Sequence, residues 1–175
     1  LKHVVVTSVA RDEQEDEGAG QFADTIIALR NTIPGVIVEV LTPDFKGKRW
    51  CIRRVVEAKP DIYNHNIETV ARLSPTVRPQ AKYERTLELL QAVKNMDSTI
   101  YTKSGIMLGL GETHEEILQT LRDLRAVGVD AVTIGQYLRP TVTHHLPVAE
   151  YVTPERFAEY ARIGEEMGFI FVASA

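Results

Sequence analysis

Ile100–Gln136, IYTKSGIMLGLGETHEEILQTLRDLRAVGVDAVTIGQ, contains the pattern that decides the fold. Its first part, Ile100–Leu108, is rich in β-branched and apolar residues, which suits a strand buried on both faces of a parallel sheet. Glycines at 105, 109 and 111 then mark the strand end as a place where the backbone can turn or be closely approached. Thr113 followed three residues later by Glu116 is a capping box, in which two backbone donors of a helix start are satisfied reciprocally. Ile117, Leu121 and Leu124 fall on one face of that helix, and Gly128 stops it. Ala131–Gln136 is a second apolar run. A strand, a helix and a second strand at this spacing predict a right-handed crossover between parallel neighbours.

The same alternation repeats in both directions. Further β-rich runs lie at His3–Ser8, Val36–Leu41, Ile62–Asn66 and Phe169–Ala173. Phe22, Ile26, Leu29 and Ile33 form one helical stripe that ends at Gly35, and Leu87, Leu90 and Val93 form another. Thr153 and Pro154 open a last helix that Gly168 closes. The expected fold is α/β, one domain over residues 1–175, with either an open sheet or a partial barrel satisfying the pattern. Asp12–Glu17 is strongly acidic and reads as a solvated loop leading into the first helix.

Composition narrows the partners. A formal net charge of −4 offers no broad basic field, so nucleic acid is not expected. No apolar run approaches the roughly 20 residues that cross a bilayer, and the first residues lack a signal-peptide pattern, so no membrane partner is expected. Cys51 is the only cysteine; it cannot form an internal disulfide or hold a metal by itself, and a reducing compartment fits it.

In such folds ligands bind at the carboxyl ends of the strands. Asn66 and Glu68, two residues apart on a strand, are expected to point the same way and to offer an amide and a carboxylate to the paired hydroxyls of a ribose. A strand-end turn using the same side chains locally is the alternative. Gly105, Met107 and Gly109 leave room for a flat ring, with Met107 as a soft apolar surface. No Lys-Ser/Thr follows, which argues against a phosphate loop. Arg85, near the start of a helix, is poorly placed for the helix dipole and hints at an anionic partner. Lys103 at a strand end admits a Schiff-base reading. His144 and His145 are adjacent and lack companions, which argues against a metal.

Together these segments resemble the radical S-adenosylmethionine enzymes, whose G-x-I-x-G-x-x-E pattern Gly105-x-Met107-x-Gly109-x-x-Glu112 follows with Met in the Ile position. Asn66-x-Glu68 resembles the ribose motif of the same superfamily. More narrowly, TSVARD, EVLTPDFKG, NHNIETV, VRPQAKYERTLELL, TKSGIMLGLGET, TIGQYLRPT and HHLPVAEYVTPERF, in this order, resemble the lipoyl synthases. The resemblance implies a partial (β/α)6 TIM-like barrel that this chain enters at its second strand, with the first strand missing. It implies S-adenosylmethionine bound by Asn66 and Glu68 at the ribose, Arg85 at the methionine carboxylate, and Thr7 and Ser8 at its amino group. Gly105, Met107 and Gly109 would line the adenine, closed by Gln136, Tyr137 and Leu138, with Lys103 and Ser104 facing the same cavity; the family keeps this lysine without using it as a Schiff base.

The implied reaction inserts two sulfur atoms into an octanoyl chain and uses two 4Fe–4S clusters. The implied partners are an octanoylated lipoyl carrier domain or glycine cleavage H protein, and an electron donor such as ferredoxin or flavodoxin, in the cytoplasm or an organelle matrix. The family's cysteine motifs and its Arg-Ser-Ser-Tyr ending do not occur here, so the chain reads as an incomplete piece, inactive by itself, and Cys51 as a helix residue. A nucleoside-binding barrel that has lost its clusters, and an aldolase-like enzyme using Lys103, are the competing expectations.

Overall fold

The computed structural model describes all residues, 1–175. Six strands, β1 (His3–Thr7), β2 (Ile37–Leu41), β3 (Ile62–Asn64), β4 (Tyr101–Leu108), β5 (Ala131–Gln136) and β6 (Phe171–Ser174), form one sheet. Every pairing is parallel and the order in space is the order in sequence. A sheet that advances in one direction by right-handed crossovers carries all its helices on one face, the winding of a barrel. The helices are α1 (Ala19–Thr32), α2 (Arg49–Glu57), the short α3 (Ser74–Val77), α4 (Tyr83–Met96), α5 (His114–Ala126) and α6 (Pro154–Glu166). The sheet is not closed on itself: β1 and β6 are its edges.

Each run read from the sequence is a strand, with ends shifted by up to two residues. Thr113 caps α5 in the full capping box and Thr153 caps α6. Gly35, Gly128 and Gly168 follow their helices in the left-handed conformation. α2 holds Cys51, Ile52, Val55 and Val56 in the core, so Cys51 is a buried helix residue.

Alternation along each strand divides the two faces. Val38 and Val40 of β2 and Tyr63 of β3 are fully buried under the helices. On the inner face Glu39 takes hydrogen bonds or ion contacts from Lys103 (2.9 Å), Asn64 (3.1 Å) and His3 (3.3 Å). Such a buried carboxylate is tolerable because its partners satisfy it. The acidic stretch is a loop with Asp12, Glu13 and Glu15 exposed, as expected, but its last residue departs from that reading: Glu17 is buried, at φ 51°, and pairs with Lys46 and Lys48. Those lysines lie some 30 residues away in sequence, which a local reading of charge cannot anticipate.

Candidate functional site

β3 ends at Asn64, but the chain continues beside β4. His65 N–H donates to Lys103 O (3.1 Å), Ile67 N–H to Ser104 Oγ (3.0 Å) and Glu68 N–H to Gly105 O (2.8 Å), while Met107 N–H donates to Glu68 O (2.8 Å). Glu68 therefore bridges to β4 outside any regular strand, at φ 66°. A non-glycine residue in this region costs on the order of 1–3 kcal/mol and persists only where its surroundings enforce it. The strict alternation expected of residues 66 and 68 does not apply, yet both side chains reach the same place.

Three hollows meet there. One of about 630 Å³ runs from Glu68 and Arg78 past Met107, Tyr137 and Leu138 to His144 and His145. One of about 350 Å³ lies on the inner face over Gly105, Met107, Thr133 and Gly135, with Asn66 and Glu68 at its side. One of about 190 Å³ opens toward Thr7, Ser8, Thr42 and His65, again with Asn66, Glu68 and Arg78. Glu68 lines all three, so the sites expected of the ribose, the ring and the strand-end hydroxyls form one cleft at the carboxyl ends of β1, β3, β4 and β5.

The guanidinium in this cleft is Arg78. Its Nη1 donates to the carbonyl of Asn66 (2.6 Å), which fixes the Asn66 backbone, and it enters no ion pair. Burial pushes its pKa down, and the nearby carboxylates of Glu68 and Asp44 oppose that shift. Arg85 is elsewhere: its Nη1 is 2.8 Å from Asp44 Oδ2, and it lines a separate small hollow with Gly47 and Glu88. The charge of Arg85 is thus met by direct contact, whereas Arg78 is a partly desolvated cation with no carboxylate in ion-pair contact. Arg78 sits in the quoted stretch VRPQAKYERTLELL. Its signal was an arginine before Pro79 in a strand-end loop, where the chain is held extended rather than helical.

The glycines have distinct tasks. A Cβ at Gly105 would lie 2.8 Å from Thr133 Oγ1 and 2.9 Å from Asn66 Oδ1, so its bareness makes room for Asn66. Gly109, at φ 104°, would place a Cβ 2.4 Å from the carbonyl oxygen of Glu150 and 2.5 Å from Gln136 Nε2. It lines none of the three hollows. It lets residues 149–152 approach, and Gln136 fastens them by donating to Glu150 O (3.1 Å) and accepting from Val152 N–H (2.9 Å). Gln136 acts as a clamp behind the cleft, while Tyr137 and Leu138 line it. Glu112 closes the same turn: its carboxylate accepts from Gly109 N–H (2.5 Å) and Leu110 N–H (2.9 Å), giving the last residue of the glycine motif a structural role.

Lys103 and Ser104 do not share a cavity, because neighbours on a strand face opposite ways. Ser104 is fully buried on the helix side and holds Ile67. Lys103 faces inward, below the cleft, with its ammonium on Glu39. That nitrogen is engaged in an ion pair, which does not favour the Schiff-base alternative. Thr7 and Ser8 reach the cleft from β1, although their hydroxyls bond to Leu41 O and Val9 O. His65 is buried with Nδ1 2.8 Å from Thr42 O, its Nε2 has no partner, and desolvation pushes its pKa down to about 4.

The chain's own donors do not suit an iron–sulfur cluster: Cys51 is buried in α2, and no three His, Cys, Asp or Glu side chains converge.

Parallel strands wound in one direction, with a polar, glycine-lined cleft at their carboxyl ends, define an open barrel of the (β/α) class. Residues 2–124 match the Radical SAM superfamily, and the chain belongs to that family. It is 60% identical over 174 residues to a lipoyl synthase of Rubrobacter xylanophilus, covering 99% of this chain and 54% of that protein. It is 59% identical to a lipoyl synthase of Caldanaerobacter subterraneus, covering 99% of this chain and 61% of that protein. The chain therefore spans a little over half the length of these relatives. Methylornithine synthase superposes with a TM-score of 0.73 at 14% identity, covering 98% of this chain and 56% of that one. Streptococcus suis SuiB bound to S-adenosylmethionine gives 0.67 at 12% identity, covering 94% and 35%. At such identities the superpositions establish the fold alone.

Proposed function

We propose that this chain forms the S-adenosylmethionine site of a lipoyl synthase, which inserts two sulfur atoms into an octanoyl chain on a carrier protein. The carrier is an octanoylated lipoyl domain or glycine cleavage H protein, and the electron donor is of the ferredoxin or flavodoxin type. Two 4Fe–4S clusters belong to the complete enzyme on this reading, held by residues outside this chain. When bound with its cluster, S-adenosylmethionine supplies a carbon radical able to remove hydrogen from unactivated carbon.

The observation that carries the proposal is the convergence of Asn66, Glu68 and Arg78 on one cleft beside Gly105. Glu68 accepts from the ribose hydroxyls and Asn66 bonds beside it. Arg78, partly desolvated and with no carboxylate in ion-pair contact, takes the methionine carboxylate in a charge-assisted pair; the geometry favours it over Arg85, which Asp44 already neutralises. Thr7 and Ser8, which line the same cleft, are assigned to the amino group. Met107, Tyr137 and Leu138 offer the apolar walls for adenine, and Gly105 lets the nucleoside approach β4. The protein contributes orientation and exclusion of water, which is what a reactive species near an unactivated chain requires.

Calorimetric titration of the chain tests this. Glu68→Gln removes a charged acceptor and is expected to weaken S-adenosylmethionine binding roughly ten- to hundredfold, the worth of hydrogen bonds to a charged group. Arg78→Ala is expected to weaken S-adenosylmethionine more than 5′-methylthioadenosine, which has no carboxylate and loses only the support Arg78 gives Asn66. Equal affinity of both variants and the parent chain for S-adenosylmethionine would refute the assignment.

A further inference from the structure

Ten of the thirteen arginines donate a hydrogen bond to a carboxylate, carbonyl, amide or hydroxyl oxygen. The three that donate none, Arg49, Arg53 and Arg54, all lie on the exposed face of α2. Trp50, 48% exposed, lies among them. Arg49 and Arg53, and likewise Trp50 and Arg54, are four residues apart and so are neighbours on the helix surface. The opposite face, Cys51, Ile52, Val55 and Val56, is core, so folding accounts for that side of the helix and leaves the arginine side unexplained.

Local electrostatics does not favour this arrangement. Arg49 stands in the first turn, where the helix dipole prefers an acid, and no acidic residue is present there. Neighbouring cations are neutralised: Lys46 pairs with Asp12 and Glu17, and Lys48 with Glu17. Arg54 at least lends its field to Asp16, helping to lower that carboxyl's pKa. Arg49 shares a small hollow with Glu88 but makes no ion pair with it, Arg53 makes none either, and only Glu57 opposes them on α2.

We propose that the Arg49–Trp50–Arg53 face of α2 is a docking surface for an acidic protein domain, the acyl carrier of the reaction proposed above, and this inference rests on that reading. In a parallel β/α unit the helix starts at the carboxyl end of its strand, so Arg49 and Trp50 stand at the same end of the sheet as the cleft, with Arg49 beside the separate hollow of Arg85. Arginine and tryptophan are the side chains most often found to dominate protein interfaces. Unpaired guanidiniums attract an acidic partner from a distance, and the indole then supplies apolar area on contact. A polynucleotide fits less well, because three charges on one nine-residue helix give a short footprint on a chain of net charge −4.

The test measures binding of an octanoylated lipoyl carrier domain to the chain by surface plasmon resonance at low and high salt, with S-adenosylmethionine binding followed in parallel. The double variant Arg49→Glu/Arg53→Glu is expected to lose on the order of tenfold in affinity, mainly in the association rate, and to flatten the salt dependence. Trp50→Ala is expected to dissociate faster even at high salt. Arg162→Glu, a reversal on the exposed face of α6, leaves carrier binding unchanged, and none of these variants alters S-adenosylmethionine affinity. Carrier binding by the double variant equal to that of the parent overturns the inference, as does a preference of this face for single-stranded RNA. If the parent chain binds S-adenosylmethionine but no carrier, the docking surface fails and the proposed function stands. Charge-sensitive carrier binding without S-adenosylmethionine binding supports the docking surface and refutes the nucleoside site.

Discussion

Adding one methyl group at Gly109 or at Gly105 is expected to produce opposite profiles of stability and binding. At Gly109 the new Cβ would meet a backbone carbonyl, Glu150 O, at 2.4 Å, and the residue sits at φ 104°. Neither problem can be relieved by a side-chain rotation. The left-handed backbone contributes about 1–2 kcal/mol and overpacking about 1–3 kcal/mol, so Gly109→Ala is expected to destabilise the chain by roughly 2–5 kcal/mol. For a domain of this size each kcal/mol lowers Tm by about 2–4 °C.

At Gly105 the backbone is outside the left-handed region, and the obstructing atoms are the ends of side chains, Thr133 Oγ1 at 2.8 Å and Asn66 Oδ1 at 2.9 Å. Both can turn away, so Gly105→Ala costs only about 1 kcal/mol, the low end of overpacking. Turning Asn66 away removes it from the cleft, however, and the loss of one ligand hydrogen bond weakens S-adenosylmethionine roughly tenfold. Urea unfolding followed by circular dichroism, with calorimetric titration alongside, separates the two. Gly105→Ala costing more stability than Gly109→Ala, or binding S-adenosylmethionine as the parent does, would refute the reasoning.

Glu68→Gly relieves the positive φ while deleting the carboxylate, so unfolding is expected to show unchanged or higher stability with weakened S-adenosylmethionine binding. Thr113→Ala removes the α5 cap and is expected to lower stability by about 1 kcal/mol in urea unfolding. His65 is held neutral, its folded pKa lowered to about 4 from the ordinary 6.5. The unfolded chain therefore binds the extra proton first, and stability is expected to fall as pH drops from 6.5 toward 4. His65→Asn, which can still donate to Thr42 O, is expected to flatten that slope in unfolding curves recorded across this window. Arg85→Ala leaves Asp44 without its cation at a half-buried contact, and is expected to lower stability while leaving S-adenosylmethionine affinity near that of the parent chain.

The division of labour between sequence and structure is visible in single residues. Strand and helix periods, the Thr113–Glu116 cap and the stops at Gly128 and Gly168 depend on contacts within a few positions, so the α/β alternation could be read directly from the chain. That Asn66 and Glu68 meet near a strand end was expected from their spacing, although Glu68 gets there through an isolated bridge to β4 and not by strand alternation. Which arginine would be left without an ion pair in the cleft was not legible. Arg85 is neutralised by Asp44, 41 residues away, whereas Arg78 lines the cleft and bonds only the carbonyl of Asn66. The same holds for Glu17, buried by lysines from the next loop, and for Gln136, which clamps Glu150 and Val152 across the cleft's back wall. Ser104 is a plainer case, since the strand's own alternation already turned it away from the cavity. Local backbone chemistry determined the elements; the choice among like-charged or like-shaped side chains was decided only when folding brought distant partners within hydrogen-bonding reach.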